Sequence, residues 1–335
     1  MDIIKNISVP TGNILIVNGS TGKLECLSLG DYGKQANVKA QFMGLNRDIA
    51  GVPNGKCMPL EEKWVVTIST QYGCNSNCVF CDVPKVGKGI NATYGDMKGQ
   101  IEAALSIHPE VQHTKRLNIH YARMGEPTWN AQNVIDLSYN LPQIVNSYLG
   151  DSHIHPVLTT MCPKNNKWLK PMLKEWTKHV KNRFYKGEAG LQLSINSTSD
   201  EQREYMFNGS ALSLAEISKI VNSLPMPKGR KYALNFALAD DYEVDAAKLA
   251  KLFSPEKCMV KITPLHRTRS CDENNIKASN GYTSFAPYQK VEKDLIEAGF
   301  DVLIFIPSAD EDEGRITCGN AILSGSEPEC EYTAE

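Results

Sequence analysis

The chain has 335 residues, 41% of them apolar and 22% charged, with a formal net charge of −2. That length supports one large domain with a full core, or one such domain and a small appendage. No apolar run reaches membrane-span length and the start MDIIKNISVPTGN is no leader, while the near-neutral charge gives no bulk excess for gripping nucleic-acid phosphates.

Residues 1–56 read as a small β-rich N-terminal extension. Short β-prone runs at 13–18 and 23–29 lie between the Gly-containing turns NGSTG and GDYGK. From residue 57 to 307 the pattern alternates. Strand-like runs fall at 64–69, 116–122, 155–160, 190–196, 232–239 and 258–265, with a last one at 300–307. Helical stretches fall between them, at 94–107, 130–147, 166–180, 200–222, 244–253 and 285–299. Such alternation predicts an α/β fold, a partial (β/α)6 TIM-type barrel, with functional residues just after the strands. Residues 308–335 form an acidic tail that carries Cys318.

Ten cysteines are present, three of them clustered and the rest scattered. They do not make an evenly spaced disulfide framework. In a chain without a leader they read as metal ligands in a reducing, hence cytoplasmic, compartment. The cluster is Gly73-Cys-Asn-Ser-Asn-Cys-Val-Phe-Cys81. Its Cys-x3-Cys-x2-Cys spacing places Cys74, Cys78 and Cys81 on one short loop after a strand. Thiolates are the usual ligands of iron–sulfur clusters, and three of them leave one iron of a four-iron cluster open. A zinc site is the plainer alternative, but zinc usually takes other spacings.

Beyond this loop come Met124-Gly125-Glu126-Pro127, then Ser194-Ile-Asn196-Ser-Thr-Ser-Asp200-Glu201-Gln-Arg203, then Cys318-Gly319-Asn320. In this order the segments resemble the RlmN/Cfr group of radical S-adenosylmethionine (radical SAM) adenine methyltransferases, over about residues 59–320. The resemblance implies a [4Fe-4S] cluster on Cys74, Cys78 and Cys81, with S-adenosyl-L-methionine on its open iron. It implies that Gly125 and Glu126 meet the SAM amino end, where a carboxylate suits an ammonium. Ser194 and Asn196 would bind its ribose or carboxylate, and Thr160 (or Thr159) and His266 stand at further SAM contacts. Cys318 would be the catalytic methyl carrier. An electron donor such as flavodoxin or ferredoxin follows, and RNA is the substrate the resemblance brings with it. The plainer readings are a surface carboxylate for Glu126, a buried free thiol for Cys318, and a helix start with an ordinary ion pair for Asp200 and Arg203.

The pattern also breaks. Thr67 stands where the family carries a resolving cysteine, Asn54 where it carries a general base, and His266 where it carries an Asn. A hydroxyl is too weakly acidic for disulfide-forming resolution, and an amide accepts no proton. Cys57 or Cys162, and Glu61 or Glu62, are the residues available as substitutes. Two enzymatic functions compete: a methyl synthase using Cys318, and an enzyme that abstracts hydrogen from a small molecule or peptide without a methyl-cysteine. A non-catalytic iron–sulfur module is a third class, one in which SAM-contact motifs would have no purpose.

Overall fold

The computed structural model describes residues 1–31, 38–43, 57–150, 152–278, 285–307 and 314–325. Each apolar run becomes a parallel strand: β5 Trp64–Ile68, β8 Leu117–Tyr121, β9 Ile154–Thr160, β10 Gly190–Ser194, β11 Tyr232–Leu238, β12 Cys258–Pro264 and β13 Val302–Phe305. They pair in that order, with helices crossing between them. This is the expected partial α/β barrel, carried one strand further by β13.

Strand periodicity sorts the side chains. Trp64, Val66 and Ile68 of β5 are buried in one core with Met97, Ile101 and Ala104 of the helix Tyr94–Ser106. The alternate residues face the barrel interior. Register places Thr67 beside His120, Ser194 beside Asn235, and Asn235 beside Lys261. The interior wall is therefore polar where the outer wall is apolar.

The N-terminal strands continue the same sheet. β1 Ile3–Val9, β2 Gly12–Asn18 and β3 Lys23–Leu29 form an antiparallel meander, and β3 pairs antiparallel with β5. The short strand β4 Val38–Lys39 pairs with β13 at the opposite edge. One N-terminal segment thus covers both edges of the barrel sheet, which would otherwise expose unpaired backbone groups. A two-stranded ribbon, β6 Gln71–Tyr72 with β7 Ile90–Asn91, frames the cysteine loop.

Some helices differ from expectation. The stretch 200–222 is two helices, Asp200–Met206 and Leu214–Ser223, separated at Asn208 and Gly209, both with positive φ. The stretch 166–180 is a short α-helix, Leu169–Glu175, that continues as a π-helix over Trp176–Phe184.

Candidate functional site

The cysteine loop is pinched at its neck. Gly73 has φ +76°, and a Cβ there would lie 2.0 Å from the Gly87 carbonyl oxygen. The Cys74 N–H donates to that same oxygen at 3.2 Å. Only glycine permits so close an approach at positive φ. Burial raises the thiol of Cys74 and, more strongly, those of Cys78 and Cys81. Cys78 and Cys81 are next affected by the other cysteines of the loop and by Cys318, and Glu126 also acts on Cys78. The Ser76 N–H donates to Cys74 Sγ at 3.4 Å. Three thiols on one short loop, with no cation among the groups acting on them, suit a cationic iron–sulfur core by their chemistry. Among the described residues, no three His, Cys, Asp or Glu side chains are arranged as a ready-made site for a metal ion.

The Gly125–Glu126 turn follows β8. Gly125 has φ +94°, and a Cβ there would lie 2.5 Å from Cβ of Gln71. Gln71 holds three elements together. Its Oε1 accepts from the Glu126 N–H at 2.9 Å, and its Nε2 donates to the Gly89 carbonyl and to Asn91 Oδ1. The Glu126 side chain is 4% exposed, which rules out a surface carboxylate. It accepts from the Thr128 N–H and hydroxyl at 3.1 and 2.6 Å and from the Met161 N–H at 3.0 Å. Burial nonetheless raises its carboxyl above the ordinary range.

Thr160 ends β9, is buried, and hydrogen-bonds Glu126 as well as accepting from the Cys162 N–H. Ser194 closes β10 on the interior face. Asn196, at φ +61°, accepts from the Ala237 N–H at 3.0 Å and approaches Met206 Sδ at 3.3 Å. Its amide is thus engaged in joining strand ends. His266 is buried just after β12. Arg203 is buried and donates to the carbonyls of Ser194, Ile195 and Leu212. Asp200 instead accepts from the Leu214 N–H and lies 3.4 Å from Lys248. Both residues act structurally, but no ion pair joins them.

Cys318 sits on a strap, residues 314–325, that crosses the carboxyl end of the barrel. The Gly319 carbonyl accepts from the Asp82 N–H at 2.8 Å, one residue after Cys81. Cys318 is exposed, yet burial is the chief cause raising its thiol, with Arg123 and Lys261 opposing. His120 behaves alike: it is half-buried, and its pKa is lowered to about 3 by desolvation first, then by Lys261, Arg230, Lys63 and Arg116. Lys261 acts on both, so the polar interior of the barrel, a chamber open at its carboxyl end, holds a positive charge that both groups sense.

The departures from the family pattern fall as follows. Thr67 faces this chamber, level with His120. Asn54 lies outside the described residues. Cys57 reaches toward the Pro10 carbonyl at 3.7 Å, on the N-terminal meander. Glu61 is exposed and Glu62 pairs with Lys115 at 2.5 Å, both at the amino end of β5 and so at the wrong end of the barrel for a base. Cys162 lies near Glu126, but its thiol is pushed up to about 12 by burial. Sequence reasoning missed Gln71 as the hub of the turn and missed Glu25, whose partners lie far along the chain. The polar Gln71 beside the cysteine loop was a usable signal; nothing local to Glu25 was.

The fold is a radical-SAM-like partial α/β barrel. A radical SAM methyltransferase from Sphaerobacter thermophilus superposes over 95% of this chain and 80% of its own, at a TM-score of 0.65 and 17% identity. At the sequence level the chain is similar to curated proteins named dual-specificity RNA methyltransferase RlmN. The one from Campylobacter lari is 28% identical over 217 residues, 62% of this chain and 55% of the relative. That from Desulfosudis oleivorans is 25% identical over 275 residues, 79% of this chain and 67% of the relative. The match to the Campylobacter lari protein thus spans little more than half of that relative's length. No protein-family model matches the chain.

Proposed function

We propose that this chain is a radical SAM enzyme of the methyl-synthase kind, with Cys318 as methyl carrier. The observation that supports it most is the docking of the Cys318 turn on the cluster loop through Asp82 and Gly319. In this reading residues 1–56 are an edge-strand extension, 57–307 the catalytic barrel and 308–335 the tail that delivers the thiol. Cys74, Cys78 and Cys81 would hold a [4Fe-4S] cluster, which with SAM would supply a 5′-deoxyadenosyl radical when reduced by a flavodoxin- or ferredoxin-like donor. Gly125 lets the turn approach SAM, and Glu126 receives its ammonium. Thr160 orients Glu126, while Ser194, Asn196 and His266 line the strand ends beside it. Cys318, whose thiol burial holds up and Arg123 and Lys261 partly bring down, would give up its proton and take a methyl group from one SAM, which would leave as S-adenosylhomocysteine. The radical from a second SAM would remove a hydrogen atom from that methyl, and the carbon radical left on sulfur would add to an aromatic ring, of an RNA base or a smaller molecule, held in the chamber.

A second reading, hydrogen abstraction without a methyl-cysteine, is favoured by one observation: Thr67 faces the chamber where a resolving thiol would stand. Mass spectrometry separates the two. The reconstituted protein, incubated anaerobically with SAM, is expected to show a methyl increment on the peptide containing Cys318. Efficient 5′-deoxyadenosine formation with no such increment would establish the second reading instead.

A further inference from the structure

The strap that carries Cys318 is gripped on both sides by a single buried ion pair. Arg123, just after β8, donates from Nε and Nη2 to Glu25 Oε1 at 3.2 and 2.9 Å. The same Nη2 donates to the Arg315 carbonyl at 3.2 Å, on the near side of Cys318. On the far side, the N–H groups of Ile322 and Leu323 donate to Glu25 Oε1 and Oε2 at 3.2 and 2.8 Å. Both side chains are essentially inaccessible, at 2% and 0% exposure. Glu25 comes from β3 of the N-terminal meander, on the face shared with Leu27 and Leu29. Those leucines pack with Ile322 and, at its edge, Ile316 and Leu323.

We infer that Glu25, with Arg123, is a positioning residue for Cys318: the pair clamps residue 315 and residues 322–323 so that the turn between them is held against the cluster loop. This assigns the N-terminal meander a part in the site and rests on the methyl-carrier reading above. The chemistry is specific. A carboxylate can accept from the guanidinium and from two backbone N–H groups at once, whereas an amide must turn a donor toward one of them. A salt bridge serving packing alone would have no need to take backbone partners on both flanks of one cysteine.

The test compares E25Q with the unaltered holoprotein. Iron content and SAM affinity should stay within about twofold, since Glu25 touches neither. The methyl increment on Cys318 should fall about tenfold or more, the scale of one charge-assisted hydrogen bond. Deuterium exchange of the 314–325 peptide and maleimide alkylation of Cys318 should accelerate by about the same factor. These two readouts do not depend on methylation, so they decide the clamp even if Cys318 is never methylated. Unchanged exchange and alkylation would overturn the inference, as would faster exchange with unimpaired methylation. If E25Q does not fold, the pair E25M/R123M removes both charges and leaves no buried ion uncompensated. It should show the same loss of strap protection, and retained protection would overturn the inference equally.

Discussion

Gly125 and Glu126 hold adjacent positions for opposite reasons. The glycine is there because Gln71 leaves no room for a side chain. In the proposed reading the glutamate is there because a buried carboxylate with a raised pKa gains most from an arriving cation. Glu126→Ala should therefore weaken SAM binding more than tenfold, about 1.5–3 kcal/mol for a charge-assisted hydrogen bond, while leaving iron content unchanged. Calorimetry with SAM checks the first part and iron analysis the second; undiminished affinity would return Glu126 to a structural role. Thr67 leads to a second expectation. Without a thiol there, a covalent link from Cys318 to an adenine carbon would not be resolved, and each enzyme molecule would stop after one event. Incubation with undermodified ribosomal and transfer RNA should give no free methyladenosine and at most about one covalent protein–RNA adduct per chain, the stoichiometry of a covalent trap. Many turnovers by nucleoside mass spectrometry would show that Cys162, despite its high pKa, takes the resolving part.

At the scale of elements, the barrel strands were legible because β-branched and apolar runs of strand length recur between helical stretches. The Asn208-Gly209 pair is a sequence signal for the break at residues 207–213, where apolar periodicity alone gives one long helix. The π-helix over Trp176–Phe184 has no local signature, and the short helix Arg269–Glu273 depends on Asp82, whose carboxylate accepts from the Ser270 N–H and hydroxyl. The cysteine loop could be read from spacing; the clamp on the strap could not, because Glu25 and Leu323 stand 298 residues apart. The helix Tyr94–Ser106 shows how one residue serves two elements. Asp96 completes a capping box with Thr93 and also accepts from the N–H and hydroxyl of Ser20 in the β2–β3 turn. Burial alone would raise its carboxyl, but the bonds from Thr93 and Ser20 outweigh it and hold the pKa below the ordinary range. A depressed folded pKa contributes stability above the unfolded value, and that contribution is lost as pH falls through the folded one. Asp96→Asn should therefore lower the melting temperature at pH 7 and narrow its difference from the parent as pH falls below about 4. Thermal scans across that range check it, and a pH-independent offset would refute the linkage.

Over the whole molecule, the sheet begins and ends with strands from the same N-terminal segment. β3 lies along β5, and β4 closes on β13. The meander is therefore part of the barrel's architecture, and through Glu25 it reaches the tail as well. A segment that the sequence marks only as a small β-rich extension supplies strands at both ends of the sheet once its partners are known, because hydrogen-bond partners across a sheet leave no trace in local composition.

That arrangement governs the order in which a nascent chain can become native. The first strands leave the ribosome early, but β4 must wait for residues 304 and 305, and Glu25 for residues 322 and 323. Closing such long loops is slow relative to local pairing. Arg123 can reach the Glu25 carboxylate much earlier, but until residues 322 and 323 arrive two of its hydrogen-bond donors are missing and water stands in for them. Completion of this carboxylate's bonds thus coincides with the arrival of the cysteine it holds.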